Sequence, residues 1–148
     1  MFDHFHARCL SIGLAIATSF SIAGVTDTVS AVELIVHAGV PDTRISRNQA
    51  RAIFSARLSH WEDGKAIRVF VLPEETAIHH EFAKRLLDLY PYQLRDAWVR
   101  VISTGMGQAP IMVADESEMR RLVADTPGAI GYVGKVQGDD KIRALPIR

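Results

Sequence analysis

Hydrophobic and polar positions change period several times along this chain, and each change marks an element. VELIVHA, beginning at Val32, is a short and mostly apolar run closed by Gly39, Pro41 and Asp42, which predicts a strand. ISRNQARAIFSARL then puts Ala50, Ile53, Phe54 and Leu58 on one helical face, with Arg47, Arg51 and Arg57 off it. Ser46 followed by Gln49 is a capping-box start for that helix. The turn WEDG at 61–64 precedes a second strand, AIRVFVL, at 66–72. Ile78, Phe82, Leu86 and Tyr90 stand four apart and predict a helix over about 76–89. Beyond Pro91, the residues Leu94, Trp98, Val101 and Ile102 make another apolar helical stripe.

STGMGQAP, residues 103–110, reads as a loop and IMVA as a short strand. Asp115 with Glu118 caps a helix carrying Met119, Leu122 and Val123. TPGAIGYVG is a turn and a buried strand, and IRALPI is a last strand. Strands alternate with helices, so the expected class is α/β: a small three-layer-like domain with a mainly parallel sheet.

Residues 1–31 stand apart from this pattern. The run from Cys9 to Val25 is uncharged, follows Arg8, and leads to the small-residue sequence Val29-Ser30-Ala31. That is the anatomy of a secretory signal peptide, which places a domain of residues 32–148 in the periplasm. A membrane anchor fits less well, because the run is diluted with Ser, Thr and Gly and no cluster of positive charge follows it. The single cysteine, Cys9, leaves with the signal, so the mature domain has no disulfide or thiol chemistry. At 48% hydrophobic and 23% charged, the composition is that of one globular domain. Seventeen basic residues balance seventeen acidic ones, which argues against nucleic acid or an anionic membrane surface as partner.

Little in this domain reads as catalysis. His79 and His80 are adjacent, so they point about 100° apart on a helix and do not converge on one ion. They read as surface histidines at a helix start; His37 and His60 are the other two histidines of the domain, and no metal site or cofactor is expected. There is no cysteine nucleophile and no Gly-x-Ser-x-Gly elbow. The carboxylates of Glu62, Asp63, Glu74, Glu75, Asp115 and Glu116 sit where turns and caps explain them. The domain is not expected to be an enzyme.

One stretch does have the shape of an anion cradle. VFVLPEETAIHH runs from strand through a short loop to a helix start, where backbone amides and the helix dipole favour negative charge. STGMG offers further amides. The ligand-binding candidates are therefore the hydroxyls of Thr76, Ser103 and Thr104 and the amides of Gly105 and Gly107. Glu74 and Glu75 are expected to satisfy the helix-start amides themselves and to oppose an incoming anion. His79 and His80 are expected to add positive charge below about pH 6.5.

The order of these segments resembles the phosphate substrate-binding proteins of ABC transporters, and more closely the short, stand-alone members of that periplasmic-binding-protein-like superfamily. The resemblance rests on Ile53-Phe54, Trp61 with Gly64, Phe82, Trp98, and the run Pro127 to Val133, PGAIGYV. It implies one lobe of a type 2 periplasmic binding protein and a non-catalytic solute-binding role in uptake. It also implies a small oxyanion such as phosphate as ligand and a membrane or envelope protein as partner. In the family the strand-to-helix loop carries an arginine, an acid and a Ser-Gly-Thr run. Leu72 stands here at the arginine, Glu74 at the acid, and Thr76-Ala77-Ile78 at the run. A single lobe leaves one wall of a clasp open. Dimerisation or a partner would supply the other wall; the alternative is an envelope interaction module that kept the fold and lost the ligand.

Overall fold

The computed structural model describes residues 31–41, 44–136 and 138–148. The signal-peptide reading lies outside the described residues. In chain order the elements are β1 (Glu33–His37), α1 (Arg47–Phe54), β2 (Arg68–Val71) and α2 (Ala77–Glu81), which runs into a π-helical turn (Phe82–Leu86). They continue with α3 (Pro91–Thr104), β3 (Ile111–Met112), α4 (Glu116–Asp125), β4 (Ala129–Val133) and β5 (Ile142–Ala144).

The five strands form one sheet in the order β3-β2-β4-β1-β5. β2 pairs parallel with β3 and β4, whereas β1 pairs antiparallel with β4 and β5. Four strands therefore point one way, and β1 alone runs back between β4 and β5. The expected parallel sheet holds in strand direction, but the placement of β1 makes two of the four pairings antiparallel.

Helices cover both faces, which is why the central strands read as unbroken apolar runs. All of β4 is buried, as are Leu34, Ile35 and Val36 of β1. Alternate residues of β4 face opposite layers. Gly131 faces α4, where a Cβ would lie 2.4 Å from Met119 Sδ and 3.2 Å from Val123 Cγ2. Its missing side chain lets that helix lie close on the sheet. Tyr132 faces the other way. Its ring stacks on Phe82 at a centroid distance of 3.7 Å and meets Phe54 edge-on at 6.0 Å. Three layers result.

Local chemistry fixes the element ends. Gln49 N donates to Ser46 Oγ at 3.1 Å while Ser46 N donates to Gln49 Oε1 at 2.8 Å, closing the capping box at α1. The indole of Trp61 donates to the carbonyl of Gly128 at 3.0 Å and ties the WEDG turn to the PGAIG turn. Gly128 has a φ of 77°, and a Cβ there would sit 2.3 Å from the carbonyl oxygen of Ala66. Only glycine fits.

The helix expected over 76–89 departs from its periodicity at Phe82. The amide of Leu87 reaches the carbonyl of Phe82 at 3.3 Å, and the widened turn brings Leu87 into the core. The carbonyl of Leu87 is taken by Nε of Arg51, whose Nη2 pairs with Asp88 at 2.9 Å. A tertiary tie thus ends the helix before its pattern does.

Candidate functional site

The loop from Leu72 to Thr76, after the end of β2, is the cradle that the chain pattern singles out. Thr76 caps α2: its hydroxyl accepts from His79 N at 3.3 Å and donates to the carbonyl of Pro73 at 2.8 Å. Below the loop, the phenol oxygen of Tyr132 accepts from the amide of Leu72 at 2.9 Å and lies 2.6 Å from Nδ1 of His79. Because that oxygen already accepts from Leu72, its proton is free to go to Nδ1. With the phenol as donor to Nδ1, the imidazole carries its own proton on Nε2. Nε2 is buried with no partner among the described residues.

His79 is therefore not the surface histidine expected from its place at a helix start. It is 1% exposed, packed among Phe82, Trp98 and Tyr132. Burial pushes its pKa below the usual histidine value, against the pull of the Glu74 and Glu75 charges. Its ring is enclosed, which leaves His80, exposed, as the one of the pair that faces solvent. Burial likewise raises the pKa of the Tyr132 phenol, with the Leu72 amide acting in the opposite sense.

Glu74 also differs from expectation. Both carboxylate oxygens of Glu74 accept from Nη1 of Arg95 on α3, each at 3.0 Å, so Glu74 reaches across to a neighbouring helix instead of capping its own. The cap is Thr76.

The candidates from the second loop lie elsewhere. Ser103 Oγ donates to the carbonyl of Val99 at 2.7 Å, and Thr104 Oγ1 donates to that of Arg100 at 3.0 Å. Both hydroxyls are thus engaged with their own helix. Gly105 ends α3 in the left-handed conformation, φ 64°, its amide donating to Ile102 at 3.2 Å. Gly107 lines a cleft with Arg68 and Gln108, at the beginning of β2. Thr76 follows the end of that strand, so the fold places the two groups at opposite ends of β2 and does not bring them together. Tyr132 and Arg95 are the residues the sequence pattern missed. A tyrosine inside an otherwise apolar strand was the available signal for the first; nothing marks the second.

Among the described residues no group of His, Cys, Asp or Glu is placed to hold a metal ion. No protein-family model matches the chain. The phosphate-binding protein PstS of Bacillus subtilis (strain 168) is 30% identical over 116 residues, spanning 74% of this chain and 33% of that protein. An ABC-type phosphate transport receptor from Vibrio cholerae superposes with a TM-score of 0.60 at 17% identity, covering 79% of this chain and 46% of that one. A phosphate ABC transporter substrate-binding protein from Clostridium perfringens, solved with bound phosphate, gives 0.61 at 16%, covering 79% and 44%. PstS from Borrelia burgdorferi gives 0.61 at 15%, covering 79% and 47%.

The chain carries the fold of the phosphate-binding proteins. It spans about a third of the curated relative and under half of each solved structure. In this phosphate-binding-protein-like domain the PGAIGYV run is architectural. Gly128 admits the carbonyl of Ala66, Gly131 admits α4, and Tyr132 holds the cradle loop from beneath.

Proposed function

We propose that this chain is a secreted, non-catalytic solute-binding-like domain of the periplasm, delivered by a signal peptide over residues 1–31. In this reading it forms one wall of a clamp for a small oxyanion such as phosphate. The similarity over 116 residues to a phosphate-binding protein carries the reading. The loop between β2 and α2, with Thr76 at the helix start, is the part of the chain that would face the ligand.

Magnitudes decide how much one wall can do. Micromolar binding needs about 8 kcal/mol, and each hydrogen bond to a charged group contributes roughly 1.5–3 kcal/mol. Three to five new bonds are required. Thr76 already uses its hydroxyl twice and Glu74 holds the nearby Arg95. A second wall is therefore part of the proposal, from a second copy or from an envelope partner. Calorimetry of residues 32–148 with phosphate in low salt, at pH 6 and 7.5, tests it. Micromolar binding together with dimerisation is the expected result.

Glu74→Ala should strengthen that binding several-fold, because it removes a carboxylate and releases the Arg95 guanidinium beside the loop. Unchanged heat in that variant would exclude the loop as the oxyanion site.

A second reading is favoured by the self-satisfied loop together with the exposed apolar residues Ile102, Met106, Ile111 and Met112 on α3, its following loop and β3. It is that of an envelope interaction module that kept the fold and lost the ligand. A well-folded protein giving no heat with phosphate, as wild type or as Glu74→Ala, would select it.

A further inference from the structure

At the beginning of β2, opposite the cradle, lies a cleft of about 330 Å³. That volume is at the lower end of the range for small-molecule pockets, roughly 300–1,000 Å³. Its apolar side is made by Ile53 and Ile67, both buried, with Leu58, Val69 and Met106. Its polar side carries two arginines and no carboxylate. Arg57, after α1, donates through Nε to Oγ of the buried Ser55 at 3.0 Å. Arg68, the first residue of β2, donates through Nη1 to Oε1 of Gln108. Among the described residues neither guanidinium is paired with a carboxylate.

Each arginine has five donors and gives one of them to a neutral acceptor. Those bonds orient the guanidinium planes without neutralising them. In a chain whose charges balance overall, two uncompensated cations on the same cleft are a local excess of positive charge. Arginine is also the residue best suited to a planar carboxylate, which it meets with two parallel N–H groups. The apolar side calls for hydrocarbon.

We propose that this cleft is a binding site for a small organic acid with a short apolar body, its carboxylate held between Arg57 and Arg68 and its chain lying along Ile67, Leu58 and Met106. The proposal is independent of oxyanion binding at the opposite end of β2, where none of these residues lies.

Backbone amide NMR of the isotope-labelled protein, expressed from its full coding sequence, tests it with hexanoate as probe. Hexanoate should move the signals of residues 57–59, 68 and 106–108 saturably, with a dissociation constant at or below about 1 mM. Arg57→Gln and Arg68→Gln should each weaken it at least ten-fold while leaving the remaining spectrum unchanged. Hexanol, matched in length but uncharged, should bind at least ten-fold more weakly. Equal binding of hexanol, undiminished binding in both variants, or unsaturable shifts scattered over the surface would each overturn the proposal. If inorganic phosphate moves the same signals at equal affinity, the site is an oxyanion site and the organic-acid assignment fails. Shifts by phosphate confined to residues 72–76 would instead bear only on the clamp.

Discussion

Tyr132 does more than fill space between Phe54 and Phe82. Its hydroxyl is the acceptor for the amide of Leu72 and the partner of His79 Nδ1, so one oxygen satisfies two buried groups on the loop and helix that would face a ligand. Tyr132→Phe keeps the ring stack and strands both groups. A buried group left unpaired costs about 1–3 kcal/mol, and a fall of that size in unfolding free energy by urea titration is expected. A variant as stable as wild type would show that solvent or a rearranged loop takes over both bonds. The two glycines of the same run should rank differently. Alanine at 131 collides with side-chain atoms only, the thioether of Met119 and a methyl of Val123, and overpacking of this kind costs about 1–3 kcal/mol. Alanine at 128 collides with a backbone oxygen at 2.3 Å and must also hold a φ of 77°. Gly128→Ala should therefore be the more damaging of the pair, with thermal unfolding as the readout. Equal losses would mean that the turn around Ala66 is softer than its geometry implies.

At the scale of elements, most of the fold was legible. Ser46 and Gln49 marked the start of α1 because capping chemistry acts within four residues, and both reciprocal bonds formed. Ser46→Ala should cost about 1 kcal/mol, measurable as a lower urea midpoint with an unchanged slope. Asp115 likewise marked α4, its carboxylate accepting from Glu118 N at 2.9 Å. What stayed hidden was set by partners distant in sequence. The apolar spacing of Ile78, Phe82 and Leu86 gave no hint of the π-helical turn, at whose end Arg51, 36 residues earlier, donates to the carbonyl of Leu87. His79 read as exposed because adjacent polar residues at a helix start usually are. Its burial follows from where Tyr132 and Trp98 arrive from elsewhere in the chain. The candidate site suffered most. Short-range pattern found Thr76 and the Ser103–Gly107 loop separately, but only the direction of β2 reveals that they occupy its two ends.

For the whole molecule, the buried imidazole makes stability depend on pH. His79 has a native pKa below its ordinary value of 6.5, so as pH falls the unfolded chain takes up the proton first. Stability should be complete above about pH 6.5 and decline below it, until the native histidine is protonated as well. Glu74 and Glu75 act against this shift and His80 with it. The urea midpoint is expected to drop between pH 7.5 and 5.5, and to drop less in His79→Gln. Equal slopes in the two proteins would remove His79 from the account. The reversed strand between β4 and β5 has a different consequence, for the order in which the molecule can be made. β1 is among the first described residues, yet both strands that flank it come about a hundred positions later: Val36 lies opposite Ile130 on one side and Arg143 on the other. During synthesis, Leu34, Ile35 and Val36 emerge with no neighbour on either edge. Pairings this distant form slowly. The apolar strand must therefore be shielded by something other than its own sheet until β4 and β5 have been made, and a product ending at Asp125 should stay unfolded and prone to aggregate.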